Sequence, residues 1–580
     1  MWSIPEYSFL AGITSRKLAV GTKKVKHDDV VHIDQTGTEA RHPRGLKRLA
    51  EDVLRGLQTV NDNMQLQKAV ELAMTAGYQL NKEAFEFLAL LATTEDPAEI
   101  VTKAIEHMGS LDPKPFFIER KLLEEVLKPQ STAKEVSGQE QATQYGQMQE
   151  SLETQLTEAK VPFHPLAKEV DASISIVDDP GAIQSSDGTV KDFLEYFQDR
   201  FKRLERLLRQ RIDVKSATSI LEAIRTQPNT RLKIVCIVTE KRESKQKTIL
   251  TVEDLKGTAT VLVPQSASQD LQKKAKMLLL DQVICLSVVK TRSNLLIAED
   301  IILPEVAQRT QRRASVPVYA VLTSDMHVGS TKFTREAFNH FILWLNGKYG
   351  NARMREIASH VKYVLIAGDI VDGIGVYPNQ IKELAIKDVH KQYRLAAKYL
   401  EQIPDYIEVV IIPGNHDAPR KALPQPAIAD TFLETLKDSR RIHSFGSPCT
   451  INIHNVEILM FHGRSLDDVI STVPGMSQTH PEKAMRLLLQ SRHLAPLYGG
   501  KTPLSPQHKD ALVIERVPDI FHVGHVHSLE YANYRGVLLV NSGCWQEQTD
   551  YMARNGFTPT PAKVPVVNLQ TFEVSVVPFD

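Results

Sequence analysis

Five short pieces of the sequence carry residues able to do chemistry: Asp325-x-His327, Gly368-Asp369, Gly414-Asn415-His416-Asp417, His462-Gly463 and Gly524-His525-x-His527. Carboxylates and imidazoles together suit divalent cations of mixed oxygen and nitrogen preference, such as Mn²⁺, Fe²⁺ or Zn²⁺. A lone D-x-H or H-x-H says little, because a single buried histidine is usually a satisfied core residue. An ordered set of this kind in one stretch exceeds what chance supplies. At a strand end, side chains at i and i+2 point the same way. Asp325 with His327, and His525 with His527, can thus each present two ligands to one cavity. Gly368, Gly414, Gly463 and Gly524 admit tight turns and close backbone approach beside the ligands.

Each piece follows an apolar run. VYAVLTSD, YVLIAGD, EVVIIPG, VEILMFHG, IFHVGH and GVLLVNSG alternate with helical stretches over residues 317–580. That order predicts a layered α/β domain with its site at strand C-terminal ends. Ahead of it, residues 230–304 switch to a period of two, giving short strands with a helical insert near Asp270 to Leu279, between the third and fourth. This is the order of an OB-fold β-barrel. The segment contains no Trp, Tyr or Phe, which favours a barrel that docks a protein over one that stacks bases. Residues 191–229 read as a helical connector, amphipathic and basic in FLEYFQDRFKRLERLLRQR. Residues 128–190, rich in Gln, Ser, Thr, Glu and Gly, read as a disordered linker. Residues 46–127 carry helical spacing and read as an all-α module, and residues 1–45 as a flexible leader. The basic stretches Lys202 to Arg211 and Gln308 to Arg313 read as solvated surface, with contact to phosphates as the alternative.

Composition sets outer bounds. The 580 residues are 42% apolar and 24% charged, which excludes a wholly disordered or fibrous chain. Lys plus Arg is 70 and Asp plus Glu is 70, so no global positive field collects nucleic acid; local patches or a partner must do so. The four cysteines form no C-x-x-C pair, so reduced, buried thiols are expected. No apolar run reaches the length of a membrane span, and the first residues lack a signal-peptide core. A cytoplasmic protein with no membrane association is expected.

The ordered motifs resemble those of the calcineurin-like metallophosphoesterase family. The resemblance implies a two-sheet sandwich flanked by helices, with two divalent metal ions at one edge. Mn²⁺ comes first, with Mg²⁺, Fe²⁺ or Zn²⁺ as alternatives. By the same resemblance Asp325, His327, Asp369 and His527 hold one ion. Asp369, Asn415, His462 and His525 hold the other, with Asp369 bridging. His416 is the catalytic acid that binds no metal. Two such ions about 3.5–4 Å apart clamp a phosphate and stabilise both attacking and leaving oxygens. Asp417 either orients His416 or caps the following turn, and Asp372 supports rather than ligates.

The whole chain narrows the resemblance. GNHDAPRKALPQPAI, FHGRSLDDVI and GHVHSLEYANYRGVLLVNSGCWQEQTDYM, with the barrel placed before the phosphoesterase, resemble small subunits of archaeal D-family DNA polymerases. Related eukaryotic subunits share the layout but have lost metal ligands, and here none is lost. The resemblance implies a multidomain 3′-to-5′ proofreading exonuclease. It would work as a heterodimer with a large catalytic polymerase subunit and act on DNA at single-stranded 3′ ends or mismatched primer ends. A stand-alone repair nuclease of the double-strand-break type and a catalytically silent polymerase scaffold are the alternatives. Partner contacts are expected on the barrel side, with residues 1–190 dispensable.

Overall fold

The computed structural model describes residues 163–579 apart from 184, 245, 246, 294 and 440, together with scattered positions from 66 to 123. The expected leader (1–45) and the first part of the expected linker (128–162) lie outside the described residues, as does much of the helical module. The chain divides into two units, residues 26–160 and the remainder.

In the smaller unit, the helix Pro97–Gly109 buries Ala98, Val101 and Ala104 in one core with Leu66, Ala69, Leu88 and Ile118. The unit is not all-helical at its described positions. Gln79–Leu80 pairs in parallel with Phe117–Ile118. Helical spacing cannot report such a pair, because the partners are far apart in the chain.

The larger unit begins earlier than composition suggests. Residues 163–183 and 185–190 have defined structure, which corrects the linker expectation for that part. Strand β1 (Ile174–Asp178) adds to the edge of a sheet by pairing antiparallel with Cys449–Ile453. The polar surroundings of SISIVD hid it, since an edge strand needs few apolar residues when only one face is covered. The helix Val190–Arg209 then starts at a capping box, with Thr189 and Asp192 satisfying each other's backbone N–H. This helix does not lie on the surface as a basic face. Arg200 is fully buried, and its Nε donates to Asp510 Oδ2 at 2.5 Å while Nη1 donates to the Pro496 carbonyl at 2.8 Å. Arg203 and Arg206 pair with Glu515. Arg309 and Arg312 likewise pair with buried Asp519, and Arg312 also with Glu457. Both basic stretches thus spend most of their charge on intramolecular partners.

Strands β2 (Arg231–Glu243), β3 (Lys247–Asp254), β4 (Gly257–Pro264), β5 (Val283–Lys290) and β6 (Leu295–Ile302) close a barrel in the order β2-β3-β4-β6-β5. The helix Gln269–Met277 lies between the third and fourth. Alternate residues fill the interior, among them Ile234, Cys236, Val238, Leu250, Val261 and Leu286. The charged stretch Glu240 to Glu243 continues β2 and pairs with Thr248 to Thr251. Glu240, Arg242 and Glu243 are exposed there while Leu250, opposite Lys241, stays in the barrel core, so polar residues suffice on the outer side.

One barrel position sets a pH prediction. Glu253 is buried, its Oε1 has no hydrogen-bond partner, and burial with neighbouring Asp254 raises its pKa from 4.5 to about 8. The folded state keeps this proton where the unfolded chain has released it. The stability is therefore complete below about pH 4.5 and lost as pH rises towards 8. Glu253→Gln, which stays neutral, should melt higher than wild type at pH 8, by a stability gain on the order of 2–4 kcal/mol. The two melting temperatures should converge near pH 5. Parallel profiles across that range would refute the assignment.

Two six-stranded sheets form the rest. The first runs β10 (Ile442–Ser444), β9 (Glu408–Ile412), β8 (Val361–Ala367), β7 (Tyr319–Thr323), β16 (Lys563–Asn568), β17 (Val574–Pro578), with β7 to β10 parallel. The second runs β14 (Glu530–Tyr534), β15 (Val537–Asn541), β13 (Ile520–Val523), β12 (Val456–Phe461), β11 (Cys449–Ile453), β1. Within it β12, β13 and β15 are parallel. One face of each strand meets the other sheet through Leu322, Leu365, Val410, Ile451, Met460 and Val540. The opposite faces are covered by helices, Arg335–Leu345 and Val389–Leu400 on the first sheet and Pro481–Ser491 on the second. Because both faces are buried, the central strands are continuous apolar runs, as the sequence pattern predicts. All four cysteines are free and buried. Among the described residues, no helix is long and apolar enough to cross a membrane.

Candidate metal centre

The C-terminal ends of β7, β8 and β9 in one sheet and of β12 and β13 in the other come together at one edge of the sandwich. Asp325 and His327 follow β7, Asp369 follows β8, Asn415 and His416 follow β9, His462 follows β12, and His525 and His527 follow β13. All eight residues singled out by the motifs therefore reach one cleft or its floor.

Local geometry departs from the motif-based expectation in one respect. Neither D-x-H nor H-x-H is extended. Asp325, His327, Asp369, His525 and His527 all have φ between 51° and 74°. Left-handed backbone at non-glycine residues costs about 1–3 kcal/mol each and persists only where surroundings enforce it. Both side chains of each pair reach the site because the chain kinks twice, while Met326 and Val526 between them are buried as core. Close approach explains two of the glycines. A Cβ on Gly414 would overlap Asp369 Oδ1, and one on Gly524 would overlap Ser324 Oγ.

Two groups of ligand-type atoms converge. In the first, Nε2 of His527 lies 3.3 Å from Asp325 Oδ1 and 3.0 Å from Nε2 of His327. In the second, Nε2 of His462 lies 3.2 Å from Asp369 Oδ2 and 3.1 Å from Asn415 Oδ1. His525 belongs with Asp369 and His462, its ring 5.2 Å from that of His462. Asp369 Oδ2 also stands 3.8 Å from Nε2 of His327, so this carboxylate reaches both groups.

Hydrogen bonding fixes which nitrogens face inward. His462 Nδ1 lies 2.8 Å from the Ala367 carbonyl and His416 Nδ1 lies 2.7 Å from the Asp372 carbonyl. A carbonyl only accepts, so both Nδ1 atoms carry the proton. In neutral His462 the Nε2 lone pair then faces Asp369 Oδ2 and Asn415 Oδ1, a repulsion relieved either by a proton on Nε2 or by a cation between them. The His327 Nδ1 binds Asp372 at 2.9 Å, the carboxylate–histidine arrangement that orients a metal ligand. Buried Asp325 Oδ1 accepts no hydrogen bond. The residues present therefore fit divalent cations.

Without a cation the imidazoles carry the compensating charge. Burial opposes protonation of His327, but the Asp325 and Asp372 carboxylates that accept from its ring and the charge of Asp369 hold it up at about 10. Burial likewise opposes protonation of His462, and Asp369 overcomes it to give about 9. Asp325 and Asp369 are held well below the usual carboxylate range against their burial, chiefly by His527 for the first and by His462 and His416 for the second. His416 differs: burial pushes it down to about 4.

Three supporting roles emerge. Asp417 takes neither of the two roles expected for it. It accepts the backbone N–H of Gly414 at 2.8 Å and the Tyr393 hydroxyl at 2.9 Å, and it reaches the N–H of Ile370 at 3.3 Å, so it locks two ligand loops together. Asp372 orients His327 through its carboxylate and His416 through its carbonyl. Asp467, which the motifs do not single out, faces His525 Nε2 at 3.3 Å. It lies in FHGRSLDDVI next to Asp468, and only the structure separates them. Asp468 instead accepts from Lys501 and Thr502 backbone N–H groups.

The family model for the alpha/epsilon B-subunits of DNA polymerases matches residues 320–532. The DNA polymerase II small subunit of Methanocaldococcus jannaschii is 39% identical over 409 residues, spanning 70% of this chain and 68% of that protein. The one from Archaeoglobus fulgidus is 36% identical over 498 residues, spanning 85% of this chain and 94% of that protein. Among solved structures, Vps29 of Entamoeba histolytica complexed with Zn²⁺ covers 45% of this chain and 100% of that one at 13% identity and a TM-score of 0.20, a likeness on which nothing rests. With the alignment to Archaeoglobus fulgidus running nearly the full length of that relative, the chain belongs to the family of DNA polymerase II small subunits.

Proposed function

We propose that this subunit is a metal-dependent 3′-to-5′ exonuclease that proofreads for a large catalytic polymerase subunit, with which it forms a heterodimer. The observation that carries the hydrolytic reading is the convergence of His462 Nε2 with Asp369 Oδ2 and Asn415 Oδ1 beside a second buried cluster of Asp325, His327 and His527. In this reading the sandwich is a metallophosphoesterase domain and the barrel an OB-fold. Asp325, His327, Asp369 and His527 would hold one cation, and Asp369, Asn415, His462 and His525 would hold the other. When bound, two divalent cations supply Lewis acidity at the phosphodiester and lower the pKa of the attacking water. Asp372 keeps His327 in the ligating tautomer. Asp417 and Gly414 keep Asp369 within reach of both clusters. His416, fixed through Nδ1 to the Asp372 carbonyl, turns Nε2 to the cleft, 4.0 Å from Asp369 Oδ2. Burial leaves Nε2 without a proton at neutral pH, so His416 must first become the imidazolium, which the negative phosphate of an entering strand favours, and Nε2 then passes that proton to the departing 3′-oxygen of the retained strand.

A direct test is degradation of a single-stranded oligodeoxynucleotide by the purified chain with Mn²⁺ added and then chelated. The reading expects mononucleotides to appear from the 3′ end only in the presence of metal. Absence of hydrolysis with bound metal would leave the scaffold alternative.

The ordered span from residue 163 revises the expected boundary for partner binding. A chain starting at Lys191 would lose β1 and the Thr189 cap, so its failure would say nothing about the partner. A chain starting at 161 keeps both and should still co-purify with the large subunit, because the helix Val190–Arg209 fixes the barrel to the sandwich through Arg200 and Asp510. Loss of the complex with that folded chain would assign docking to residues 1–160.

A further inference from the structure

Three aromatic residues line the candidate cleft on the His416 side. The ring of Tyr377 lies 6.1 Å from that of His416, Tyr551 lies 5.6 Å from Tyr377, and Phe557 lies 6.4 Å from Tyr551. Together they form a rail that leads from His416 out of a cleft of about 480 Å³. Tyr551 is 50% exposed, so its ring is accessible to a ligand in the cleft. The rail is held in place. Tyr377 Oη donates to Glu383 Oε2 at 2.7 Å, and Glu383 Oε1 accepts the Asp550 N–H at 2.9 Å, so one carboxylate fixes both tyrosine-bearing segments. On the His525 side the same cleft is lined by Arg464 and Lys501, with Arg464 3.8 Å from Asp467, itself the partner of His525.

A cleft with rings on one side and cations on the other matches one strand of unpaired nucleic acid, with bases on the rings and phosphates towards the cations. The barrel, devoid of aromatic residues, has no such surface. We propose that Tyr377, Tyr551 and Phe557 form the stacking platform for single-stranded DNA at this site, and that it holds the bases of the retained strand. The polarity follows from His416. The acid protonates the 3′-oxygen of the nucleotide that stays with the chain, so the rail that begins at His416 lies along that nucleotide and those before it. The released nucleotide departs with the phosphate, on the side of Arg464 and Lys501. The proposal rests on the exonuclease reading and assigns its substrate as unpaired strand.

Binding and hydrolysis separate the two. Wild-type hydrolysis of bis(p-nitrophenyl) phosphate with Mn²⁺ tests the phosphodiesterase reading and needs no base. Binding of a fluorescent oligodeoxythymidylate to the full chain in the presence of chelator tests the platform. Tyr551→Ala should weaken binding roughly 5- to 150-fold, the range for loss of one base–ring stack. Tyr551→Phe, which keeps the ring, should bind within about twofold of wild type. The half-exposed position leaves the core untouched, and a matched thermal melt checks that the variant folds; Phe557→Ala gives a second variant on the same rail, expected to lose binding in the same direction. On wild type, an abasic nucleotide on the 5′ side of the scissile bond should raise KM by a similar factor, while an abasic 3′-terminal nucleotide should not. Equal binding by folded Tyr551→Ala and Phe557→Ala would overturn the platform, and a KM penalty confined to the 3′-terminal abasic substrate would overturn its polarity.

Discussion

Asp369→Ala should abolish 3′-end hydrolysis and reduce bound metal from two ions to one or none, while the chain stays folded. Its carboxylate lies within 4 Å of imidazole nitrogens from both clusters, 3.2 Å from His462 and 3.8 Å from His327. No neighbour can replace it, since Asp325 serves one cluster and Asp372 is committed to His327 Nδ1 and Gln380. The fold should survive because the strands on either side keep their pairing and Asp417 still ties the Gly414 and Ile370 loops. Removal of the carboxylate also leaves the His416 N–H without its 2.7 Å acceptor, so a modest loss of stability is expected, on the order of 1–3 kcal/mol. Metal content by elemental analysis, read beside nuclease rate and melting temperature, checks all three. Full activity in a folded, singly loaded variant would sink the two-cation centre.

His416→Ala should part activity from metal content. The ring stands 4.0 Å from Asp369 Oδ2 and is anchored away from the clusters by its Nδ1 on the Asp372 carbonyl. It should therefore keep both ions and lose roughly 10²–10⁴-fold in turnover, the contribution of a positioned proton donor. The loss should shrink for a substrate whose leaving group needs no proton, such as a p-nitrophenyl ester. Metal occupancy that fell in step with rate would make His416 a ligand.

How far these residues could be found without coordinates depends on what kind of signal each leaves. The continuous apolar runs of β7, β8, β9 and β12 are visible because both faces of each strand are buried, and the polar residues after them stand out for the same reason. Strand β1 leaves almost no such signal. It is an edge strand whose burial alternates weakly, and its composition matches the polar segment before it. The Glu240 to Glu243 extension of β2 fails to announce itself because Glu240, Arg242 and Glu243 are exposed and no apolar alternation marks it. Arg200 leaves no signal for a different reason: among the Lys and Arg residues that crowd the second half of its helix, nothing marks the one cation whose counter-charge, Asp510, lies 310 residues away.

The sequence by itself determined which atoms are available to the centre. Residue types, their order and their place after apolar strands are local properties, and local patterns record them. Tertiary structure alone decided how those atoms meet. Five ligand-type residues adopt left-handed backbone that no i, i+2 rule describes, because contacts across two sheets hold a conformation that each peptide would leave by itself. Asp467, Asp372 and Asp417 acquire distinct roles only once loops from different strands face each other. The aromatic rail is assembled from Tyr377 and Tyr551, 174 positions apart in the chain, through the single carboxylate of Glu383. Separations of that size lie beyond any periodicity, since pairing over them is set by the packing free energy of the whole sandwich.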